Sequence, residues 1–344
     1  MTLGAVRLAR GSYAVSGVTV AGAAAIVGKK EGEGPLGGAF DAVWTDDLAG
    51  RRSWEAAEAA LSGAAVERAI QAADWTRDDV DAVIAGDLLN QLYSTNFAAR
   101  GHQIPLLGTF AACATFTESI ALGALLLAAS GPQRVVVAAA SHHLAAERQF
   151  RFPVELGYQR TPTASWTATA AGALALEAGS GAVAIEAVTV GRVVDLGARD
   201  PMDMGTAMAP AAADCLLRHR AAVGRAWEDY DRIYTGDLGV LGSRILADLL
   251  GGGEREVSSF VARHEDCGRA LYSDRQDVHN GGSGAGLAAA VFSGSVLPQI
   301  RAGHWRRVLL VATGALFSPT SYQQGETIPG IAHAIEFIHV QARP

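Results

Sequence analysis

The sequence predicts an α/β fold built from two similar βαβαβ halves. A tryptophan, spaced aspartates and a short apolar run that ends in Gly-Asp-Leu occur at 75–88 and again at 227–238. An arginine followed by a continuous apolar run occurs at 134–138 and at 307–312, each time after a helix of small residues. Continuous apolar runs are typical of strands buried on both faces. We therefore expect mostly parallel strands, with the order strand, helix, strand, helix, strand present twice.

The two halves are predicted to meet near residue 178. The 344 residues suffice for two average domains or for one large α/β unit made of two halves. A Gly-Ser-Gly sequence at 179–181 interrupts the pattern, which predicts an N-terminal half at 1–178 and a C-terminal half at 179–344. Residues 142–168 have no counterpart in the second half. Long ordered segments are often functional, so we predict an inserted cap over a pocket there.

Two segments resemble membrane elements. The N-terminus has two arginines before a stretch of small residues, but polar residues interrupt it, and the valines and isoleucine at 15–26 favour a strand. The apolar run at 120–129 is too short to span a bilayer and is predicted as part of a buried core helix. We expect a soluble protein without a signal peptide or transmembrane segment, either cytoplasmic or held at a membrane by a partner.

Composition excludes some classes of function. The net charge is −7 and the 28 basic residues are spread along the chain without a basic run, so nucleic acid is not an expected partner. The three cysteines, Cys113, Cys215 and Cys267, are too few and too scattered for a disulfide framework, which favours a reducing compartment.

Cys113 is the first candidate for chemistry. It lies between a strand predicted at 104–108 and a helix predicted at 117–127, and so at a helix N-terminus. Unpaired N–H groups and the helix dipole favour a thiolate at such a position and can stabilise an oxyanion. The other interpretation is a small buried hydrophobic residue, which is how most free cysteines behave. Its position alone leaves both open.

Histidines and glycines give weaker signals. His143 follows a predicted strand at its carboxyl end, where open α/β sheets bind ligands. No second cluster has metal-ligand spacing, so no zinc site is predicted. His333 lies in an apolar strand, as a core residue or as part of a pocket wall. The glycines at 281–286 lack a preceding strand and a following acidic residue, which favours close helix packing over a dinucleotide loop.

Several motifs occur in order along nearly the whole chain. They are Gly34-Pro35-Leu36-Gly37, Gly86-Asp87-Leu88-Leu89-Asn90-Gln91, Ala146-Glu147-Arg148-Gln149-Phe150-Arg151, Asp200-Pro201-Met202-Asp203-Met204-Gly205, Ala209-Pro210-Ala211-Ala212-Ala213-Asp214, His264-Glu265-Asp266-Cys267-Gly268 and Glu326-Thr327-Ile328-Pro329. With the duplicated halves, they resemble the stage V sporulation protein AD family of the thiolase and ketoacyl-synthase superfamily. The resemblance implies a thiolase-like fold, with duplicated βαβαβ halves in a layered α-β-α-β-α architecture, and a homodimer that pairs a central strand across a twofold axis.

The resemblance also implies a role in bacterial sporulation. It implies binding of dipicolinic acid (pyridine-2,6-dicarboxylate) and action with other stage V sporulation A-group proteins at the spore inner membrane. Together these proteins are expected to move dipicolinate, as its calcium chelate, into the developing spore. No cofactor is expected apart from calcium carried with the ligand.

Comparison with the superfamily tests for catalysis. Acyl-transferring enzymes of this fold pair the cysteine with two second-half groups, a histidine and either a histidine or an asparagine. Asp237 stands about where ketoacyl-synthase relatives have the histidine. The glycine-rich residues 281–284 stand where those relatives have the asparagine. Asn280 and His279 are close by, at a different spacing. Only Cys113 carries over, and Ala114 follows it where the sporulation family is expected to have serine.

The incomplete set favours a binding protein in which Cys113 marks a vestigial acyl pocket. The alternative is an acyltransferase or condensing enzyme that uses Cys113 as its nucleophile on coenzyme A or carrier-protein thioesters. A third hypothesis is a structural dimer that scaffolds the membrane complex.

A planar dianion needs fixed donors and a flat apolar slot. Arginine binds carboxylates bidentately, so Arg148 and Arg151 are the first predicted donors, followed by Lys29 with Lys30. Three aspartates are candidates for chelated calcium, namely Asp195, Asp200 and Asp203. For each residue a surface or capping role is the alternative. The predicted ligand-binding set is Cys113, Asn90, Gln91, His143, Arg148, Arg151, Lys29 and His333, with no metal site belonging to the protein itself.

Overall fold

The computed structural model describes residues 3–150 and 160–341 of the chain. The strands are β1 Gly4–Ala9, β2 Ser12–Ser16, β3 Val18–Gly28, β4 Ala42–Trp44, β5 Ala82–Gly86, β6 Leu106–Gly108, β7 Arg134–Ser141, β8 Trp166–Thr167, β9 Ala170–Ala178, β10 Val183–Thr189, β11 Arg232–Thr235, β12 His264–Asp266, β13 Gly282–Ser283, β14 Arg307–Ala315 and β15 Gly330–His339. The helices are α1 Lys29–Gly32, α2 Trp54–Ala72, α3 Tyr93–His102, α4 Thr115–Ala128, α5 His143–Phe150, α6 Met204–Val223, α7 Gly239–Leu250, α8 Glu254–Val261, α9 Cys267–Ala270, α10 Ala285–Val291, α11 Leu297–Arg301 and α12 Pro319–Gln323.

The sheet contains the repeat that the sequence predicts. Ten strands follow one another in the order β12-β11-β14-β15-β10-β3-β9-β7-β5-β6, with β1, β2 and β4 attached beside this path. In the first half β5 pairs in parallel with β6 and β7, and in the second half β11 pairs in parallel with β12 and β14. The two sequence echoes therefore form the same three-stranded unit at opposite ends of the sheet.

The prediction of mostly parallel strands is wrong. The middle of the sheet is antiparallel, since β9 runs against both β3 and β7, and β15 runs against both β10 and β14. Both faces of these strands are buried, which produces the same continuous apolar runs as a parallel sheet. An apolar run reports burial, and burial does not determine the direction of the neighbouring strand.

Helices divide the sheet into layers. Helix α2 covers the outer face of the first half on β3, β7 and β9, and α6 covers the outer face of the second half on β14 and β15. Between the halves lie α4, which contacts strands of both, and α10. The three largest apolar clusters of the described residues correspond to these layers, one central and two outer. The order of layers is the predicted α-β-α-β-α arrangement.

Helix α10 is apolar throughout and α4 is apolar from Ile120 onward, because protein surrounds both helices. Helix α4 confirms the core helix predicted at 120–129, and Phe116 and Ile120 within it are fully buried. Phe292, just after α10, packs 6.4 Å from the ring of Phe116 and 4.4 Å from that of Phe337. These contacts fix the start of α4 relative to the end of α10, and the starts of both helices contribute to the site described next.

The segment predicted as a cap, 142–168, is described at 142–150 and at 160–168. Its first part forms α5. Its last part includes β8, which pairs in parallel with β13 of the second half. The segment therefore contacts the second half directly, beside Ser283.

Candidate functional site

Cys113 lies two residues before α4, at the helix start that the sequence predicts. The preceding Ala112 has a φ of 49°, a left-handed conformation that costs a residue with a Cβ about 1–2 kcal/mol. Such outliers persist only where the surrounding structure enforces them, and they cluster at functional sites. The Cys113 side chain is buried and lines a cavity.

Three second-half residues surround the thiol. The Sγ of Cys113 is 3.5 Å from the Oγ of Ser283, and that hydroxyl donates a hydrogen bond of 2.7 Å to Asp237 Oδ2. Thr313 donates one of 2.8 Å to Asp237 Oδ1, and the backbone N–H of Gly284 donates a longer one of 3.4 Å to Oδ2. Asp237 follows β11, Ser283 ends β13 and Thr313 lies in β14. The Asp237 carboxylate therefore accepts the hydrogen bonds of the Ser283 and Thr313 hydroxyl groups, which would otherwise be available to the thiol.

Burial raises the pKa of Cys113 well above its ordinary value, and the charge of Asp237 raises it further. Sγ and Oδ2 are separated by no more than the sum of the two distances above, roughly 6 Å. At an effective dielectric constant of about 20, two like charges at roughly 6 Å repel by about 3 kcal/mol. A helix N-terminus stabilises an anion by at most about 2 kcal/mol. The repulsion and the burial outweigh the helix dipole, so Cys113 is a neutral thiol.

Burial also raises the pKa of Asp237, while the hydrogen bonds from Ser283 and Thr313 oppose that rise. An acceptor-rich carboxylate beside the thiol is the opposite of what acyl transfer requires. A thioester oxygen needs donors as negative charge develops on it, and here the available hydroxyl groups already point to Asp237.

The cavity at Cys113 has two parts. The inner chamber, which we name the Cys113 chamber, is about 40 Å³, room for a few water molecules. Its apolar walls include Leu88, Phe110, Phe150 and Phe317, which also line an outer cavity of about 430 Å³. Among the described lining residues neither part contains a cation, and Glu147 adds a carboxylate to the chamber.

The structure does not bring the predicted ligand-binding residues together. Asn90 and Gln91 line the outer cavity, near Cys113. Lys29 and His143 line a separate cleft, on the far side of β8. Arg151 lies outside the described residues.

Arg148 and His333 lie at neither cavity. The Arg148 guanidinium is paired with Glu55 and stacks 4.9 Å from the ring of Trp54, so its charge is already neutralised. His333 is buried in β15 and accepts a hydrogen bond from the Gly191 N–H, and burial lowers its pKa to about 4. A neutral, enclosed imidazole fits the core interpretation.

Nearby candidates also have structural roles. The side chain of Asn280 binds Leu241 N and Leu238 O at the start of α7, and His279 lies in another cleft beside Asp277. Neither lines the Cys113 chamber.

The three aspartates considered for calcium accept backbone hydrogen bonds locally. Asp195 accepts from Gly197 N, Asp200 from Met202 N, and Asp203 caps α6 through Thr206 N. Within the described part of the chain, no three His, Cys, Asp or Glu side chains are placed to hold a metal ion.

Sequence reasoning missed the roles of Asp237 and Ser283. Asp237 had a signal, because the echo of Asp87 places it at the end of an equivalent strand. Asp87 itself is buried and binds the backbone N–H groups of Leu89 and Thr95. Ser283 is the polar residue within a run of glycines, and its role depends on contacts across the two halves.

Comparisons with known proteins agree on family and fold. The family model for stage V sporulation protein AD matches residues 12–338. Stage V sporulation protein AD of Bacillus subtilis (strain 168) is 45% identical over 320 residues, 93% of each chain. Among solved structures, cerulenin-bound OleA from Xanthomonas campestris superposes with a TM-score of 0.61 at 12% identity, covering 94% of this chain and 97% of that one. The 3-oxoacyl-[acyl-carrier-protein] synthase III of Aquifex aeolicus VF5 gives 0.55 at 12% identity, covering 94% and 100%.

These structural likenesses confirm a thiolase-like α/β fold. No helix within residues 3–150 and 160–341 is long and apolar enough to cross a membrane.

Proposed function

The chain belongs to the stage V sporulation protein AD family, and from this premise we propose that it binds dipicolinic acid without catalysing acyl transfer. The observation that carries the proposal is the hydrogen-bonded group of Cys113, Ser283 and Asp237. It keeps the thiol protonated in a fold whose condensing enzymes need a thiolate. With the nucleophile blocked, the cavities of the fold are left as binding sites.

The geometry also opposes the later steps of condensation. Those steps require a donor on the thioester oxygen and a group that moves a proton. Among the described residues the Cys113 chamber contains no histidine, and the carboxyl group of Asp237 lies behind Ser283, one hydrogen bond away from the thiol's neighbour. A developing oxyanion would be repelled there.

Titration calorimetry with dipicolinate, with and without equimolar calcium, tests the proposed function. We expect saturable binding by the wild type, and binding by Cys113→Ala of similar strength, because the thiol is not needed for chemistry. Calcium that tightens binding would indicate that the chelate is the bound form. No heat and no retention in equilibrium dialysis under either condition would favour the scaffold hypothesis.

The acyltransferase alternative is favoured by one observation, the position of Cys113 at the start of α4. Incubation with acetyl-coenzyme A followed by intact-protein mass spectrometry separates the two functions. We expect no adduct. A stable mass increase of one acetyl group that disappears in Cys113→Ala would overturn the non-catalytic proposal.

We also propose that the protein acts as a homodimer with the other stage V sporulation A-group proteins at the spore inner membrane. Support for the dimer comes from β6, which pairs only with β5 and ends the described sheet path. Leu107 of β6 is exposed, and so are Phe110, which follows the strand, and Phe97 and Tyr93 of α3. An exposed edge strand with apolar neighbours is suited to pairing with a second copy.

Analytical ultracentrifugation tests the dimer. We expect the wild type to sediment as a dimer and Leu107→Asp to shift toward a monomer. The matched control is Leu249→Asp, an equally exposed leucine on α7, which should leave the wild-type behaviour unchanged. A monomeric wild type would contradict the dimer.

A further inference from the structure

The edge strand β1 and the residues around its turn form an exposed surface, which we name the β1 face and which consists of residues 6–10, 190–193 and 217–218. Within the described part of the chain β1 pairs only with β2, and every residue at 5–10 is exposed. We infer that the β1 face binds the surface of an anionic lipid bilayer directly, through apolar side chains flanked by arginines. The inference rests on the part of the proposed function that places the protein at a membrane, and it adds a contact with lipid.

Three segments that are far apart in the chain meet at this face. The turn after β1 lies against the residue that follows β10, because the Val190 N–H donates a hydrogen bond of 2.8 Å to the Gly11 carbonyl oxygen. The Arg218 guanidinium of α6 donates a hydrogen bond to the Arg10 carbonyl oxygen. Helix α6 also packs against both strands of the hairpin, β1 and β2. The face is therefore continuous from β1 across the end of β10 to α6.

Large apolar side chains are exposed along the β1 face. On β1 itself, Val6 is 66% exposed and Leu8 is 42% exposed. Val190 and Val193, in the segment after β10, are exposed as well, and so is Leu217 of α6. Single exposed apolar residues are normal, but several that lie next to one another with polar neighbours mark an interaction surface.

The charges of the β1 face are mainly positive. Arg7 and Arg10 are exposed, and neither forms an ion pair with another described residue. Arg192 and Arg218 share one carboxylate, that of Asp214, whose side chain is only 16% exposed. The face therefore has an excess of positive charge, although the whole chain has a net charge of −7. An acidic protein with one basic face turns that face toward an anionic surface.

The form of the edge strand favours lipid over a strand of a partner protein. An unpaired edge can add a strand from another chain, but a charged residue or a β-bulge on the edge opposes that pairing. Strand β1 has both, since Arg7 lies in its middle and the register with β2 shifts between Arg7 and Ala9. A bilayer surface requires no register. Apolar side chains enter its interfacial region while arginine side chains extend to the lipid phosphates.

Sedimentation with lipid vesicles tests the inference. One kind of vesicle contains phosphatidylcholine with about 30% phosphatidylglycerol, and the other contains phosphatidylcholine alone. We expect the wild type to bind the anionic vesicles at low salt and the neutral vesicles at least about 10-fold more weakly. About 0.5 M salt should release the protein, because it screens the charges. Equal binding to the two kinds of vesicle would overturn the inference.

Two double variants locate the contact. Arg7→Gln with Arg10→Gln should weaken binding to anionic vesicles roughly 30-fold, which is about 5-fold for each arginine near an anionic surface. Val6→Ser with Leu8→Ser should weaken it at least about 5-fold, because less apolar area enters the interfacial region.

The matched controls make the same changes on other surfaces. Arg244→Gln with Arg255→Gln removes two exposed arginines, one from α7 and one from α8. Leu249→Ser with Val261→Ser replaces apolar side chains of the same two helices that are 41% and 53% exposed. Both control variants should bind anionic vesicles as the wild type does.

The outcomes separate the inference from the proposed function. Each variant should bind dipicolinate in calorimetry as the wild type does, because the described linings of the Cys113 chamber and the outer cavity include none of the changed residues. A wild type that binds neither kind of vesicle overturns the inference and leaves the β1 edge to a partner strand. Variants of β1 that are folded by thermal melting and bind anionic vesicles as tightly as the wild type also overturn it. A wild type that binds anionic vesicles but no dipicolinate overturns the dipicolinate proposal alone.

Discussion

Replacing Asp237 with asparagine tests whether that carboxylate keeps Cys113 in its thiol form. The variant preserves the shape and an acceptor oxygen for either Ser283 or Thr313 but removes the charge, and its amide nitrogen can donate to the other hydroxyl oxygen. The charge lies within roughly 6 Å of Sγ, which corresponds to about 3 kcal/mol at an effective dielectric constant of 20, or about 2 pKa units. Because Asp237 raises the pKa of Cys113, its removal should lower that pKa.

The assay is the rate of alkylation by iodoacetamide, followed at Cys113 by peptide mass spectrometry across alkaline pH. While only a small fraction of the thiol is ionised, a fall of about 2 pKa units raises the thiolate concentration about 100-fold, and the alkylation rate should rise accordingly. Asp87→Asn is the matched control, since Asp87 occupies the equivalent position in the first half and its carboxylate is held by the backbone N–H groups of Leu89 and Thr95, not by the neighbours of Cys113. Alkylation of Asp237→Asn at the wild-type rate would refute the electrostatic argument.

Three further predictions concern stability. Phe292→Ala should lower the free energy of unfolding, measured by urea denaturation, by about 3–5 kcal/mol, because the Phe292 ring packs against Phe116 and Phe337 in the central layer. Tyr322→Ala is the control: this residue is 50% exposed, and its replacement should change the free energy of unfolding by less than about 0.5 kcal/mol. Gly286→Ala should lower the free energy of unfolding by about 3 kcal/mol, since a Cβ there would lie 1.9 Å from the Ala170 carbonyl oxygen. Gly179→Ala should be tolerated, because nothing lies within 4 Å of a Cβ at that position. Equal melting temperatures of the two variants would contradict the packing argument. Burial lowers the pKa values of His219, His264 and His333 to about 4, so the unfolded chain binds protons more readily than the folded one. The contribution of these neutral histidines to the free energy of unfolding is complete above about pH 6.5 and is lost as the pH falls toward 4, by up to about 2 kcal/mol each at pH 5. Urea midpoints that stay constant from pH 7 to pH 5 would argue against it.

The candidate site shows where prediction from sequence ends. Arg148 was a reasonable donor by residue type, but its charge is paired with Glu55, 93 positions earlier in the chain. The sequence marks Asp237 as part of the repeat and as the place of a missing histidine, but it does not show that Asp237 accepts hydrogen bonds from Ser283 and Thr313 and adds to the effect of burial on the pKa of Cys113. The identity of a side chain limits what it can bind, and its neighbours determine whether it is free to do so.

The sequence by itself determined the family, the duplicated α/β class, the buried strands and the cysteine at the start of α4. These features follow from local patterns, since burial on both faces makes a run apolar and a helix start depends on adjacent residues. Only the tertiary structure decided that the central strands are antiparallel, that Cys113 faces Ser283 and Asp237, and that the ligand candidates divide between two sites. The physical reason is distance along the chain. Cys113 and Ser283 are 170 positions apart, and only the packing of the two halves around α4 and α10 brings them within contact.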